Sequence, residues 1–377
     1  MYQVLYHKGC NDGYFAAAAV HFFSRAQESA VYTPIYHDST KSLEALKPLI
    51  SDNPHLEGFL FVDIAPSPEL AAELIKAGYK VYVVDHHKSA RDDMVKLHQN
   101  DCDIMFNENL KVIIYDKLSG AALAYVLATH ALANSHLNIF DFIGSLPICP
   151  LQIDQDVLTN FLAYSHIGEE KFGLDQLSPL YRLIAIRDLW ITTDPEEKQT
   201  ADQLNAWFFF NKIYTNEDFN KLSDSLKSAI ISPTSGNHYL NTMIEEGMMI
   251  MTVFLRQTRD DVGHARVTKY NYKGETLTVY IGNFVHVSLA GQMVQDLNPG
   301  QPTILIRPII DFKQPLKLNI SFRSNGVVCR TLAKQLGGGG HDMASGAIVN
   351  LAKTDTVEYT VECLDKLIQN AIDKNLF

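Results

Sequence analysis

The sequence lacks the features that mark secreted and membrane-spanning proteins. Its 377 residues contain five scattered cysteines and no Cys-x-x-Cys pair, so we expect a reducing compartment and no disulfide framework. No apolar run reaches the roughly 18 residues that span a bilayer. The N-terminus shows neither the basic start nor the apolar run of a secretion signal. We therefore expect a cytoplasmic protein with no membrane partner.

An excess of positive charge is also missing. The chain carries 43 acidic and 32 basic residues, a formal net charge of −11, which disfavours the binding of long nucleic acid, including long duplexes. A short anionic substrate is still compatible with this charge, because carboxylates neutralised by divalent cations can present a locally positive site.

What is present is an ordinary globular composition, 46% apolar and 20% charged, in a chain long enough for more than one core. The first half alternates apolar runs with helical patterns, which is typical of a buried parallel sheet with helices on both faces. The sequence thus predicts an α/β protein with an N-terminal parallel-sheet domain (residues 1–195), a helical connector (196–260) and a smaller C-terminal α/β domain (261–377).

The predicted strands are short and several end in polar residues. In the first half we predict strands at Gln3–His7, Val31–His37, Gly58–Asp63 and Lys80–Asp85. Pro34 indicates that the second of these is an edge strand or bends. Predicted helices of this half include Tyr14–Phe23, Ser119–Leu132 and Ser178–Trp190. In the C-terminal part we predict strands near His264–Tyr272, Thr276–Gly282, Thr303–Phe312 and Lys317–Phe322, and helices near Ser288–Leu297, Val327–Leu336 and Thr356–Lys374.

Imidazoles and carboxylates stand at three predicted strand ends, which in a parallel sheet share one edge. They are His7, Asp63 and the triplet Asp85–His87, and Asp12 follows in the loop after the first strand. Taken singly, a strand-end Asp is usually a turn or helix cap, and a lone His is usually a half-buried structural residue. Together these ligand types can hold a pair of divalent ions, which favours phosphoryl chemistry with an activated hydroxide as nucleophile.

Four segments, taken in order, resemble the motifs of the DHH phosphoesterase superfamily. They read HKGCNDGYFAAAA, FVDIAPS, VVDHHKS and IAIRDLW. The superfamily includes RecJ-type exonucleases, nano-RNA-degrading oligoribonucleases, phosphoadenosine phosphate phosphatases and manganese-type pyrophosphatases. The later segments SFRSNG and GGGGHDMASGA resemble the DHH-associated substrate-binding domain. The resemblance covers nearly the whole chain except the connector. Within the superfamily, the chain most resembles the oligoribonuclease type.

The resemblance implies roles for individual residues. The metal ligands would be His7, Asp12, Asp63, His86 and Asp188, with Asp63 bridging two ions. Asp85 would fix the orientation of the histidine rings, and His87 would face the scissile phosphate as a charge stabiliser or proton donor. Without the resemblance, Asp188 reads as a polar residue at a helix end.

The first motif departs from the family pattern His-x-x-x-Asp-x-Asp-Gly. This chain is one residue shorter between His7 and Asp12 and has Cys10 where the first acid is expected. Either Cys10 ligates as a thiolate and favours manganese, cobalt, iron or zinc over magnesium, or it is a passive small residue beside a weakly occupied position. A subgroup of DHH oligoribonucleases has a similar first motif.

The C-terminal part offers candidate substrate contacts. The glycines that include Gly338, Gly339 and Gly340 let backbone amides approach an anion, and His341 follows them. Arg323, at a predicted strand end, offers a planar fork that matches a phosphate. Ser321 is a weaker candidate in the same segment, and a glycine tract is otherwise most often a linker.

The sequence therefore predicts a metal-dependent phosphodiesterase that cleaves short single-stranded RNA or DNA, of two to five nucleotides, into mononucleotides. Two divalent ions, manganese first, are the expected cofactors. A phosphoadenosine phosphate phosphatase and a phosphodiesterase for linear or cyclic dinucleotides are the alternatives within the same chemistry. A catalytically silent nucleotide sensor is the alternative outside it. The residues do not decide between a monomer and a homodimer.

Overall fold

A computed structural model describes residues 1–24, 29–135, 137–146, 174, 177–189, 194–232, 238–272, 275–309, 317–324, 329, 333–334, 336–340 and 343–350. Residue contacts divide the chain into two units, Met1–Met251 and Thr252–Phe377. Across the described ranges, no helix is both long and apolar enough to cross a membrane.

The first unit is built on a five-stranded parallel sheet with strand order β2-β1-β3-β4-β5. Its strands are β1 Tyr2–His7, β2 Ala30–Ile35, β3 Gly58–Val62, β4 Lys80–Asp85 and β5 Leu110–Ile114. Because every strand runs in the same direction, all carboxyl ends lie at one edge, where loops into the following helices begin.

Side chains of the central strands alternate between two cores, one on each face of the sheet. In β3, Leu60 and Val62 belong to one core, and Phe59 and Phe61 belong to the other. Helices cover both faces, so the strands are mostly apolar, as expected for a buried parallel sheet. The helices of the first unit are α1 Asn11–Phe23, α2 Leu43–Asp52, α3 Pro68–Lys76, α4 Lys88–Asn100, α5 Cys102–Met105, α6 Gly120–His130, α7 Ile139–Ser145, α8 Pro179–Leu189, α9 Pro195–Phe210 and α10 Asp224–Ile231.

The contact between α1 and α6 lies over the centre of one sheet face. Both helices are rich in alanine, including the fully buried Ala16–Ala19 of α1. Alanine favours helix and its small side chain lets two helix backbones approach closely. This approach places the first turn of α6 next to the carboxyl edge of the sheet.

The second unit contains a mixed sheet with strand order β10-β11-β9-β8-β7-β6. Its strands are β6 Arg266–Tyr272, β7 Glu275–Ile281, β8 Thr303–Ile309, β9 Lys317–Arg323, β10 Gly339–Gly340 and β11 Ala344–Asn350. Only β7 and β8 pair in parallel among these strands. Helix α12, Val287–Leu297, buries Ala290 and Val294 against one face. The long helix α11, His238–Gly263, begins in the first unit and ends in the second.

The predicted α/β class is confirmed, with a parallel sheet in the first unit and a second sheet in the C-terminal part. Pro34 lies in β2, which is an edge strand as predicted. The sequence reasoning missed β5 and began α1 three residues late, at Tyr14 instead of Asn11. Most of the predicted helix Val327–Leu336 and all of Thr356–Lys374 lie outside the described residues. The division at 195 and 260 stays a prediction.

Candidate metal centre

Three neighbouring strands deliver the candidate ligands to one edge of the parallel sheet. Tyr6 is level with Val62, and Val62 is level with Val84. The next residue along each chain segment is therefore a polar one at the same height: His7 at the end of β1, Asp63 directly after β3 and Asp85 at the end of β4. The strand register alone explains why segments distant in sequence meet here.

Asp63 lies at the centre of the site. Its side chain is 1% exposed, and its Oδ1 atom lies 3.1 Å from Nε2 of His86. Its other oxygen, Oδ2, lies 3.7 Å from Nδ1 of His7, beyond hydrogen-bond distance. Asp63 also has a φ of 56°, a left-handed conformation that is uncommon outside glycine, although Asp adopts it more readily than most residues, and that clusters at functional sites. One carboxylate thus faces two imidazoles with its two oxygens.

Three overlapping groups of potential ligand atoms lie at this edge, and two of them contain the residues that the sequence predicts as ligands. The first contains His7, Cys10 and Asp63, and the ligand atoms lie within 4.8 Å of one another. The second contains Asp12, His86 and Asp188, within the same distance. Nε2 of His86 lies 3.6 Å from Oδ2 of Asp12 and 3.5 Å from Oδ2 of Asp188. The structure therefore brings together all six residues that the sequence proposed as ligands.

Asp12 also contacts backbone of the fold. Its Oδ2 accepts a hydrogen bond from the N–H of Gly120 at 2.6 Å, and Oδ1 accepts one from Ala121 at 3.0 Å. These are first-turn donors of α6, which have no partner inside the helix. Ser119, the N-cap, accepts from Ala122. The position of Asp12 is thus compatible both with a role as a helix cap and with a role as a metal ligand.

Two glycines make room for the site. A Cβ on Gly120 would lie 2.5 Å from Cβ of Asp63, and a Cβ on Gly13 would lie 2.6 Å from the carbonyl oxygen of His7. Neither distance occurs in real side chains, so any larger residue would displace the neighbouring ligand. Gly120 could not be predicted from the sequence. Its importance comes from the approach of α6 to Asp63, and no local sequence pattern indicates this approach.

Asp85 holds the two histidines that follow it. Its Oδ1 accepts hydrogen bonds from the backbone N–H groups of His86 at 2.7 Å and His87 at 3.2 Å. The same oxygen lies 2.7 Å from Nδ1 of His87. This contact places the proton of a neutral His87 ring on Nδ1 and fixes the ring, whose side chain is 13% exposed.

The charges of the site are strongly interdependent. Burial, followed by the carboxylates of Asp188 and Asp63, raises the pKa of Asp12 well above its ordinary value. Burial would raise the pKa of Asp63 as well, but the imidazoles of His7 and His86 hold it well below its ordinary value. Burial would lower the pKa of His86, yet the surrounding carboxylates raise it. Without cations, His86 therefore supplies positive charge among the acids.

Cys10 is partly buried and precedes α1 as its N-cap residue. Burial and the nearby carboxylates, that of Asp63 first, raise the pKa of the Cys10 thiol well above its usual value. The thiol is therefore neutral in the protein without metal, and a cation at this position would have to displace its proton.

The donor set fits divalent cations. Asp63 Oδ2 is buried and accepts no hydrogen bond from the part of the chain that the structure describes. A buried carboxylate oxygen in this state is costly unless a cation or water satisfies it. Imidazole, carboxylate and thiol donors together suit manganese, iron, cobalt or zinc.

A further histidine at this edge was missed. His37 follows β2, and its ring centroid lies 4.7 Å from that of His7 and 6.5 Å from that of His87. The signal was available in the sequence, because His37 ends the predicted strand Val31–His37 just as His7 ends the first strand.

In the second unit, the proposed substrate contacts lie on or beside β9 and β10, which are separated by β11. Ser321 of β9 and Gly339 of β10 are both level with Gly346 of β11. Arg323 donates from Nη1 to Oγ of Ser321 at 2.7 Å and to the carbonyl oxygen of Phe322 at 2.8 Å. The fold brings Ser321, Arg323 and Gly338–Gly340 to one end of the sheet. His341 lies outside the described residues.

Packing explains two of these glycines. A Cβ on Gly338 would lie 2.0 Å from the carbonyl oxygen of Gly346, and Gly340 has a φ of +130°, which side chains disfavour. Gly339 is different, because a Cβ there would meet nothing within 4 Å. Only Gly339 therefore lacks a packing reason among these three.

No protein-family model matches the chain, and no curated protein matches it. Several solved structures are similar to it. RecJ from Thermus thermophilus in complex with Mn²⁺ aligns with a TM-score of 0.49 and 15% identity, over 100% of this chain and 52% of RecJ. An uncharacterized protein from Helicobacter pylori G27 aligns with a TM-score of 0.36 and 13% identity, over 99% of both chains.

The pGpG-specific phosphodiesterase PggH from Vibrio cholerae aligns with a TM-score of 0.35 and 12% identity, over 98% of this chain and 99% of PggH. All three TM-scores lie below 0.5, so a functional conclusion has to come from the site geometry of this chain.

Proposed function

We propose that this chain is a DHH-type, metal-dependent phosphoesterase that hydrolyses di- to pentanucleotides to mononucleotides. The observation that carries the proposal is the position of Asp63, whose two oxygens face His7 on one side and His86 on the other. A carboxylate buried between two ligand groups is the arrangement that bridges paired cations. The order of the sequence motifs supports the same family.

The two ligand groups define where the cations would bind. His7, Cys10 and Asp63 would hold one, and Asp12, His86 and Asp188 would hold the other. Asp63 would serve the second cation as well, because its Oδ1 lies 3.1 Å from Nε2 of His86. When bound, paired cations polarise a phosphoryl oxygen and lower the pKa of water. We propose manganese as the native metal, because the thiol of Cys10 in an otherwise oxygen and nitrogen set disfavours magnesium.

His87 and Asp85 would serve the reacting phosphate. The contact of Asp85 with Nδ1 directs the opposite nitrogen, Nε2, away from the carboxylate. We propose that this Nε2 contacts the scissile phosphate and stabilises its charge or protonates the leaving oxygen. Asp85 would act as a positioning residue, since its oxygen holds the ring and the two backbone N–H groups.

The preference for short substrates is supported by charge. A net charge of −11 is unfavourable for tracking along a long polyanion, whereas two cations can neutralise one phosphate locally. We propose that Arg323, with Ser321, Gly338–Gly340 and His341, binds a second anionic group of the substrate. The guanidinium fork matches a phosphate in shape and charge.

The alternatives differ from this proposal in a measurable way. A phosphoadenosine phosphate phosphatase or a dinucleotide phosphodiesterase would share the metal centre and differ only in the substrate turned over fastest. A catalytically silent nucleotide sensor would need no set of ligands, yet six candidate ligand residues meet here.

The direct experiment is a substrate panel with one preparation of the full chain. RNA and DNA of graded length, phosphoadenosine phosphate, cyclic dinucleotides and pyrophosphate would each be tested with magnesium, manganese or cobalt. We expect the highest kcat/KM on di- to pentanucleotides with manganese. Fastest turnover of long single strands would contradict the preference for short substrates, and turnover of no phosphoester would contradict the enzyme.

A pair of histidine variants controls for the metal centre. His86→Ala removes a buried ligand, so we expect loss of both bound metal and turnover. His55→Ala changes an exposed histidine after α2 and should change neither. If His86→Ala kept its metal content and its activity, the proposed centre would be wrong.

A further inference from the structure

An exposed aromatic residue stands beside the metal centre and is not explained by packing. Tyr36 follows β2 and is 59% exposed. The ammonium of Lys8 lies 5.4 Å from the centroid of its ring, within the range of a cation–π contact. A single exposed tyrosine is common on protein surfaces. Tyr36 differs from such residues in its position at the sheet edge and in the hydrogen bonds that fix the backbone around it.

The location is the carboxyl edge of the parallel sheet. His7 is level with Ile35 in the pairing of β1 and β2, so Lys8 and Tyr36 are the next residues of the two adjacent strands. Tyr36 is also the chain neighbour of His37, whose ring lies 4.7 Å from that of the proposed ligand His7. The exposed ring is therefore one residue away from a side chain that contacts the metal centre.

The backbone on both sides of the ring is held in place. The N–H of Lys8 donates to the carbonyl oxygen of Ile35 at 2.9 Å, and the N–H of Ser39 donates to that of Tyr36 at 2.9 Å. Thr40 closes the turn by donating to the carbonyl oxygen of His37 at 2.7 Å. The carbonyl oxygen of Thr40 in turn accepts from Ser67, the N-cap of α3.

This combination of features suits the stacking of a nucleobase. An aromatic ring that is exposed, while its backbone is fixed, offers a flat surface at little entropic cost. Bases stack on such rings whatever their identity. The ammonium of Lys8 lies over one face of this ring, and the side chain as a whole is 59% exposed.

We propose that Tyr36 forms a base-stacking subsite, on which the nucleobase next to the scissile phosphate lies against the ring face opposite Lys8. The inference rests on the proposed function and adds a specificity-determining residue to it. The ligand class is a nucleotide unit of any base, held by stacking and without base-specific hydrogen bonds.

The test compares the full chain, loaded with manganese, on the dinucleotide pApA and on two analogues that each lack one adenine base. We expect Tyr36→Leu to raise the KM for pApA by roughly 5- to 100-fold, the loss that corresponds to one base–aromatic stack, and to leave kcat unchanged. Tyr36→Phe keeps the ring and should behave as the wild type. Tyr239→Leu, which changes an exposed tyrosine on α11, is the matched control.

The analogues identify which interaction is lost. One analogue lacks the base that stacks on Tyr36. For this analogue, the KM of the wild type should already be as high as that of Tyr36→Leu for pApA, and Tyr36→Leu should raise it no further. An unchanged KM for pApA in Tyr36→Leu, or an equal rise with both analogues and pApA, would overturn the stacking subsite while the proposed function stands. Absence of dinucleotide hydrolysis by the wild type would overturn the proposed function, and the subsite with it.

Discussion

The metal centre of the first unit and the glycine-rich strands of the second differ in how far packing accounts for their residues. Asp63 has a left-handed backbone and a buried oxygen, Oδ2, to which the described residues donate no hydrogen bond, and such an oxygen is costly unless a cation or water satisfies it. Gly338 and Gly340, in contrast, are required by a close approach and a positive φ. Residues that stability does not explain are the stronger indication of function.

The same comparison separates the residues within each region. In the first unit, the carboxylate of Asp12 accepts from the N-terminus of α6, whereas the carboxylate of Asp63 faces the imidazoles of His7 and His86. In the second unit, Arg323 is held by Ser321 and a carbonyl oxygen, and Gly339 alone of Gly338–Gly340 lacks a packing reason. Variants can therefore be chosen that separate folding from chemistry in each unit.

The largest effect is expected from Asp63→Asn, which removes the negative charge between the two ligand groups. We expect kcat to fall at least about 1,000-fold, because the chemistry of the paired cations is worth several kcal/mol. Metal content measured by mass spectrometry should fall in parallel. Asp224→Asn, on the exposed first turn of α10, should change neither quantity. Full activity of Asp63→Asn would contradict the conclusion that Asp63, unlike Gly338 and Gly340, is present for function.

A smaller but still large effect is expected from Gly120→Ala. The added Cβ would lie 2.5 Å from Cβ of Asp63, so the ligand or the helix must shift. We expect metal affinity and kcat to fall roughly 10- to 100-fold, as for other residues that orient ligands. The free energy of unfolding should fall by about 1–3 kcal/mol.

Gly263→Ala is the matched control for Gly120→Ala, because a Cβ there meets nothing within 4 Å. Titration with Mn²⁺ and thermal unfolding would measure both variants. Unchanged metal affinity in a stable Gly120→Ala protein would mean that α6 does not define the position of Asp63.

Arg323→Ala should act on substrate binding without affecting the metals. We expect KM to rise roughly 10- to 100-fold, as for a lost charge-assisted hydrogen bond, with kcat and metal content unchanged. Arg266→Ala changes an exposed arginine at the start of β6 in the same unit and is the control. If KM stayed the same, the assignment of the second unit to substrate binding would be wrong.

The smallest effect is expected from Gly339→Ala, where space is open and φ is not in the left-handed region. The melting temperature should stay unchanged. KM should rise roughly 2- to 10-fold, the value of one hydrogen bond, if the backbone here approaches an anion. An unchanged KM would contradict the approach of an anion to the backbone at Gly339.

Much of the first unit could be predicted from sequence because its buried strands share one simple pattern. Buried parallel strands read as continuous apolar runs, and the polar residue that ends each run marks the edge of the sheet, as for His7 and Asp63. The strand β5 was missed, although its apolar run Leu110–Ile114 is similar to the others. No strand-end acid or imidazole follows it directly, so it carried no chemical signal.

Other parts of the site could not be read from local pattern. The roles of Gly120 and Asp12 depend on the approach of α6 to the first turn of α1, where Asp12 lies instead of in the predicted loop, and the two segments are more than 100 residues apart in sequence. Ser119 has the pattern of an ordinary N-cap, and this pattern does not indicate that the helix that begins there contacts Asp12. The position of His37 at the metal centre could have been predicted, because it follows β2 at the same edge of the sheet.

The most direct test of the metal centre is a crystal structure of the protein with Mn²⁺, using anomalous scattering at the manganese edge. Two anomalous peaks should flank Asp63, roughly 3.5–4 Å apart, one beside His7 and the other beside His86. A single peak elsewhere, or none near Asp63 at saturating Mn²⁺, would contradict the paired-cation site and with it the proposed phosphoesterase.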